Sequence, residues 1–336
     1  MLYENLGVQL KTKITEMLGI EFPVIAAPMF LVSNPELVAA VSEAGGLGTF
    51  PALNYRTPEQ FEEGLKIVKS LTDKPYGVNI ITNKSNIYQE KHLEICIRHK
   101  VPVIITSLGS PKSVIEEAHK IGSRVFCDVT NLEYAKKVES LGADAVVAVG
   151  YGAGGHAGKI VGNVLVPWLV ENLSIPVIAA GGIADGKTLL SALGLGAAAG
   201  YFGTRFIACT ETAVNEDYKN SILTSNPEDI VFTAKVTGSH ANFINTPYLE
   251  SLGTELSYFE RLWSRFSLTR KWFKMYKGYR AMKGMEQSAS SGGKKKAWKD
   301  VWSAGQTVGL ITDTKPAAEI VSEVIREYSE AKKQLP

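Results

Sequence analysis

Pro176-Val177-Ile178-Ala179-Ala180-Gly181-Gly182-Ile183 is the stretch whose reading decides the fold: a short apolar run, Val177–Ala180, ends on two consecutive glycines. Helical spacing follows at Lys187–Leu193, and a second run, Ala199–Phe202, again closes on glycine in Gly203-Thr204-Arg205. Short apolar runs alternating with helices are strands buried on both faces, the mark of a parallel sheet. Working outward, the same unit repeats back to residue 22. The earlier runs are Phe22–Ala26, Leu47–Phe50, Tyr76–Ile80, Val103–Thr106, Arg124–Val129 and Ala145–Val149. Between them, Pro35–Ala44, Pro58–Ser70, Ile87–His99, Pro111–Ile121 and Leu132–Leu141 have helical spacing. Several open on Pro, whose missing N–H costs little in a first helical turn. Eight strands in about 185 residues, with no long break to mark a second half, favour an α/β fold closed as a TIM (β/α)8 barrel over an open doubly wound sheet.

The composition is that of a protein with a large core: 336 residues, 45% hydrophobic and 21% charged, with a net charge of +2. Such a balance points to neither nucleic acid nor an acidic partner for the chain as a whole. Cys96, Cys127 and Cys209 are far apart in sequence, so neither a disulfide framework nor a zinc motif is expected, nor any other metal site. The first residues carry no basic region followed by an apolar run, and no stretch is apolar for the ~18 residues of a membrane helix. A cytoplasmic enzyme is the expectation.

Beyond residue 206 the pattern changes. Residues 261–300 hold twelve Lys and Arg against Glu286 and Asp300, interleaved with aromatics such as Trp263, Trp272 and Trp298. A final amphipathic helix is expected at about Pro316–Lys333. The expected organisation is therefore a barrel from 1–209 and 306–336, with an appended, mainly helical subdomain over 210–305.

In a barrel, chemistry sits on the loops after the strands. After the first strand, Ala27-Pro28-Met29 offers stiff backbone against which a flat ring can lie. Asn79, near the end of the third, can both donate to and accept from a ring's polar edge. After the sixth runs Gly150-Tyr151-Gly152-Ala153-Gly154-Gly155-His156-Ala157-Gly158, five glycines around one histidine. It also matches G-x-G-x-x-G, but that fingerprint belongs after the first strand of a unit and opens a helix directly, so a dinucleotide site is rejected. His156, titratable near neutral pH on a strand-end loop, is suited to proton transfer. His92, His99, His119 and His240 lie on helices or in the appended region, where a surface or capping role is the simpler reading. The loops after strands seven and eight commonly build a phosphate site from backbone N–H groups. Gly181, Gly182 and Gly203 suit that role, and Thr204 adds a hydroxyl.

Taken together, these residues resemble the nitronate monooxygenase (2-nitropropane dioxygenase-like) family of FMN enzymes. The resemblance covers about residues 10–210 and returns at Ala304-Gly305-Gln306. Its specific parts are Ala-Pro-Met, Gly-Gly-His, Gly-Gly-Ile and Gly-Thr in barrel order. It implies FMN lying across the carboxyl ends of the strands, with Ala27, Pro28, Met29 and Asn79 along the isoalloxazine and Gly154 and Gly155 beside it. Gly181, Gly182, Gly203 and Thr204 would hold the phosphate, and Gln306 would reach back toward the flavin. His156 matches the family's catalytic histidine. The implied reaction converts nitroalkanes or nitronates to a carbonyl compound and nitrite with O2. One departure is Tyr151-Gly152-Ala153, where the family commonly carries an acidic residue before its Gly-Gly-His core; the basic aromatic segment is a second.

Two other flavin chemistries share this scaffold. A flavin-dependent enoyl-acyl-carrier-protein reductase has a very similar histidine loop, and the basic segment suits an acidic acyl carrier protein as partner. An NAD(P)H:quinone reductase is the other. An IMP dehydrogenase-like reading requires a cysteine after strand six, and none of the three is there. From a different class, a basic-aromatic module binding single strands leaves a strand-end histidine among phosphate loops unexplained, so no nucleic-acid partner is expected. The expected partners are a small-molecule substrate and O2, and the reading is compatible with a homodimer.

Overall fold

The computed structural model describes residues 10–83, 86–255 and 301–335. The basic aromatic segment expected at 261–300 lies outside the described residues.

Eight parallel strands form one sheet: β1 (Val24–Ala26), β2 (Gly48–Pro51), β3 (Tyr76–Ile81), β4 (Val103–Ser107), β5 (Arg124–Val129), β6 (Ala145–Val149), β8 (Val177–Ala180) and β9 (Ala199–Phe202), with β7 a separate two-residue strand at Gly155–His156. Their order is β1-β9-β8-β6-β5-β4-β3-β2, and the two ends meet. Ala26 N donates to Leu47 O (3.0 Å) and Leu47 N to Val24 O (2.9 Å), closing the barrel. The expected TIM barrel is what forms.

Alternation along each strand divides the core into two shells. Ile25, Val103, Ile105, Phe126, Val147, Ile178 and Tyr201 fill the interior. Val24, Val78, Ile104, Val125, Cys127, Val146 and Val177 face outward and pack under the helices. Helix starts follow the sequence chemistry. Asn34 accepts from Leu37 N ahead of Pro35–Glu43, and Asp185 caps Gly186–Gly194 with a reciprocal capping box. Below the barrel, the short helix α1 (Lys13–Leu18) places buried Ile14 against the interior shell, so the amino-terminal end is plugged.

The appended region contains helices, Glu216–Thr224 and Pro247–Leu252, and also a hairpin absent from the sequence reading. β10 (Ile230–Thr233) pairs antiparallel with β11 (Ala241–Ile244), and β11 pairs with β7. The appended region therefore reaches the glycine-rich loop through a small three-stranded sheet. The C-terminal helix, Ala317–Lys333, packs on the barrel through Ile320, Val321, Val324 and Ile325. Glu211 caps it by accepting from Ala317 N with both carboxylate oxygens.

Candidate active site

The carboxyl ends of the strands gather most of the residues singled out in the sequence. Gly181 and Gly182 follow β8 with φ of +94° and +82°, a left-handed pair that side chains rarely adopt. A Cβ on Gly181 would lie 2.6 Å from Ala153 N, so the turn after β8 needs glycine to let the histidine loop approach. A Cβ on Gly182 would meet open space, which leaves room beside its backbone for a ligand. Gly152 sits between the two regions: its Cβ position is 3.5 Å from Gly182 N and 3.5 Å from Gln306 Oε1. The segment Ala304-Gly305-Gln306 is fastened there. Gly305 N donates to buried Thr204 Oγ1 (2.9 Å), and Gln306 N donates to Gly152 O (3.3 Å). Gly154 packs so tightly on this segment that a Cβ would lie 2.9 Å from Gly305 N. Gly203, between β9 and the short helix Thr204–Ile207, lies near Ala27, whose N–H donates to Phe202 O.

The Ala27-Pro28-Met29 turn is shaped by two side chains the sequence reading passed over. Ser33 Oγ accepts from Met29 N (3.0 Å), and Asn54 donates to Ser33 O (2.7 Å) while accepting from Leu31 N (2.8 Å). Asn79 is buried on β3 and donates to Ile105 O (3.3 Å) and to Ser107 Oγ (2.7 Å). Ser107 in turn donates to Asp128 Oδ2 (2.5 Å). This inward row of Asn79, Ser107 and Asp128 was only one-third visible in the sequence, because Ser and Asp at strand ends look like ordinary turn residues. Burial pushes Asp128 up to about 6 despite the Ser107 hydrogen bond. It also raises the Tyr201 hydroxyl well above its ordinary range.

His156 is exposed on β7, opposite Ala241 in the register, with Nε2 3.4 Å from Thr237 Oγ1. Gly155 before it has φ +67°. The loop is held by Asn242, buried on β11, which donates to Tyr151 O (2.6 Å) and Ala153 O (2.8 Å). Tyr151, the departure from the acidic position, packs its ring 4.9 Å from Phe232, which stacks on His240 at 4.9 Å. That aromatic contact joins the loop to the hairpin. The three cysteines are buried, with thiols pushed up by desolvation, and none stands at the mouth.

A cleft lined by Leu10, Thr15, Glu21, Gly45 and Pro75 lies at the opposite, amino-terminal end, away from these groups. Among the described residues no cluster of His, Cys, Asp or Glu is arranged to hold a metal, and no helix is long and apolar enough to cross a membrane.

A model of the nitronate monooxygenase family matches residues 11–327. A Rhodococcus jostii dehydrogenase of a 5-hydroxy-7a-methyl-1-oxo-octahydro-1H-indene-4-carboxyl-CoA is 36% identical over 243 residues, 72% of this chain and 68% of that protein. A nitronate monooxygenase of Paraburkholderia phytofirmans is 30% identical over 371 residues, covering 97% of each chain. The solved structure of FabK from Thermotoga maritima matches with a TM-score of 0.83 at 32% identity, over 97% of this chain and 98% of that one. Matched by that family model over most of its length, the chain belongs to the nitronate monooxygenase family of flavin oxidoreductases.

Proposed function

We propose that this chain binds FMN across the barrel mouth and oxidises alkyl nitronates or nitroalkanes to a carbonyl compound and nitrite, using O2. The observation that carries the reading is the convergence of three segments at Gly152, where the glycine turn after β8, the histidine loop and Gln306 meet within a few ångströms. The fit to a flavin rests on the open space beside Gly182 and on two inward-facing buried oxygens, Asp128 Oδ1 and the Tyr201 hydroxyl, that have no hydrogen-bond partner among the described residues.

In this reading the backbone N–H groups of Gly181, Gly182 and Gly203 and the hydroxyl of Thr204 hold the phosphate. Ala27, Pro28 and Met29 line the ring with Asn79, Gly154 and Gly155, and Gln306 closes over it. His156 takes the α-proton of a nitroalkane or orients an anionic nitronate. When bound, FMN would supply the acceptor for the substrate's two electrons, which O2 would then remove. The glycine loop keeps backbone rather than side chain against the ligand, and the hairpin of β10 and β11 holds that loop in place.

A second reading, oxidoreduction of an acyl thioester, is favoured by a specific observation. Phe30, Leu31 and Leu108, in the loops after β1 and β4, expose 46%, 58% and 51% of their surfaces, and both leucines have positive φ. An apolar rim held in strained backbone suits a ligand with a sizeable apolar body. The Rhodococcus relative acts on a CoA thioester, and FabK is an enoyl reductase; an acyl carrier protein is the partner this reading brings. Anaerobic mixing separates the two. Bleaching of the flavin by ethylnitronate but not by NADPH supports nitronate oxidation. Bleaching by NADPH alone, with reoxidation by a short enoyl-CoA, sinks it in favour of the thioester.

A further inference from the structure

The inward row on β3, β4 and β5 ends in an oxygen with nothing to bind. Ser107 Oγ accepts from Asn79 Nδ2 and donates to Asp128 Oδ2, which satisfies one side of the carboxyl group. Asp128 Oδ1 is closed off from solvent and has no hydrogen-bond partner among the described residues. Asp128 alternates with Phe126, an interior-shell residue, so its side chain is directed into the barrel, on the same row as Asn79. The groups that act on its charge are burial and the Ser107 hydroxyl, with no Lys or Arg among them. A buried polar atom left unpaired destabilises the fold, because its bonds to water are lost and not replaced. Such an atom at the functional end of a barrel is explained when a ligand supplies the missing partner.

We propose that Asp128 is a redox-tuning contact of the flavin, its Oδ1 meeting the polar edge of the isoalloxazine and taking up a proton from solvent when the ring is reduced. The inference rests on the FMN reading above. Two electrons added to the ring raise its negative charge, and an adjacent carboxylate is repelled until it binds one proton. Burial, offset in part by the Ser107 hydrogen bond, places the group at about 6 before any ring contact is counted; beside a bound ring, reduction moves it above its oxidised-state value, and between those two values each reduction carries one additional proton. The other titratable groups around it are the Tyr201 hydroxyl from β9, the Tyr134 hydroxyl from the helix after β5, and the Cys127 thiol on its own strand. Burial raises all three, so they stay neutral through this range. His156 and His240, on the hairpin side of the mouth, are unchanged in the comparison that follows.

The test has two readouts besides turnover. Apoprotein is titrated with FMN by flavin fluorescence, and the midpoint potential of the holoprotein is then measured from pH 5 to 9 by equilibration with reference dyes. Wild type is compared with Asp128→Asn and Ser107→Ala. The wild-type potential is expected to fall more steeply above the oxidised-state value, by about 30 mV per pH unit, the equivalent of tenfold in a two-electron couple. Asp128→Asn, nearly isosteric, should keep FMN within about tenfold of the wild-type affinity and lose that added slope. Ser107→Ala removes the donor that holds the carboxyl down, so its bend should move to higher pH. Parallel lines for wild type and Asp128→Asn, or an unmoved bend in Ser107→Ala, overturn the assignment of Asp128 and leave the FMN reading standing. If Asp128→Asn does not retain flavin, the Ser107→Ala bend decides alone. Failure of wild-type apoprotein to bind FMN overturns both.

Discussion

Asn242 on β11 holds the carbonyl of Tyr151 at 2.6 Å, and the same amide holds Ala153 O at 2.8 Å. One buried side chain of the appended hairpin thus fixes the backbone of the loop that carries His156, with Asn242 opposite Gly155 in the register. Replacing it with Ala leaves two partly buried carbonyls without that donor, which costs about 1 kcal/mol or more. Asn242→Ala is expected to lower the urea midpoint by that equivalent and to reduce turnover by roughly 10- to 100-fold through a misplaced histidine. The flavin spectrum should be retained. Unchanged turnover in a destabilised protein would mean that the hairpin supports the fold and not the site.

His156→Asn tests the proton-transfer role directly. The asparagine keeps the size and a hydrogen-bonding end but removes the titratable ring. Turnover is expected to fall by about 10²-fold or more, the usual scale for losing general acid–base help, with FMN still bound. Full activity would remove His156 from the reaction.

Gly181 and Gly182 separate backbone strain from crowding. Both have positive φ, but only Gly181 is pressed against another segment, at Ala153 N. Gly182→Ala should cost about 1–2 kcal/mol from the left-handed conformation alone. Gly181→Ala adds a backbone clash and should cost more, while displacing the histidine loop. Thermal melts with FMN affinity check the pair. Equal penalties would show that the loop yields to the added methyl at no cost.

Much of this architecture was legible in the sequence because it is local. The strand Val177–Ala180 and its glycines declare themselves by composition, and repeats of that unit leave little choice but a closed barrel. The glycine turns were legible too, since positive φ selects residue type. What stayed hidden depends on pairing across the chain. β10 and β11 are short and interrupted by polar residues such as Asn242, so their alternation is weak. Only the bonds to Tyr151 and Ala153, about 90 residues away, give that asparagine a meaning. Asp128 was missed for a similar reason. An acidic residue near a strand end reads as solvated, and only burial behind Ser107 and Asn79 makes it unusual.

His92 gives a prediction for stability. It is fully buried on the helix Gln89–Arg98, with its ring 5.1 Å from Phe61 and 5.8 Å from Tyr88, and neither ring nitrogen has a hydrogen-bond partner among the described residues. Desolvation lowers its pKa from 6.5 to about 4, so the folded protein keeps it neutral where the unfolded chain would protonate it. Between those values the unfolded state binds more protons, and stability falls as pH falls. The stabilisation is complete above about pH 6.5 and is lost progressively down to about 4, amounting to about 2 kcal/mol between pH 7 and pH 5. Asp128, raised by burial, acts in the opposite sense over part of this range but is common to both proteins compared. His92→Phe keeps an aromatic ring between Phe61 and Tyr88 and removes the titration. Urea unfolding at pH 7 and pH 5 should show the wild type losing about 2 kcal/mol more than the variant across that interval. Equal losses would show that His92 takes up its proton inside the folded core without penalty.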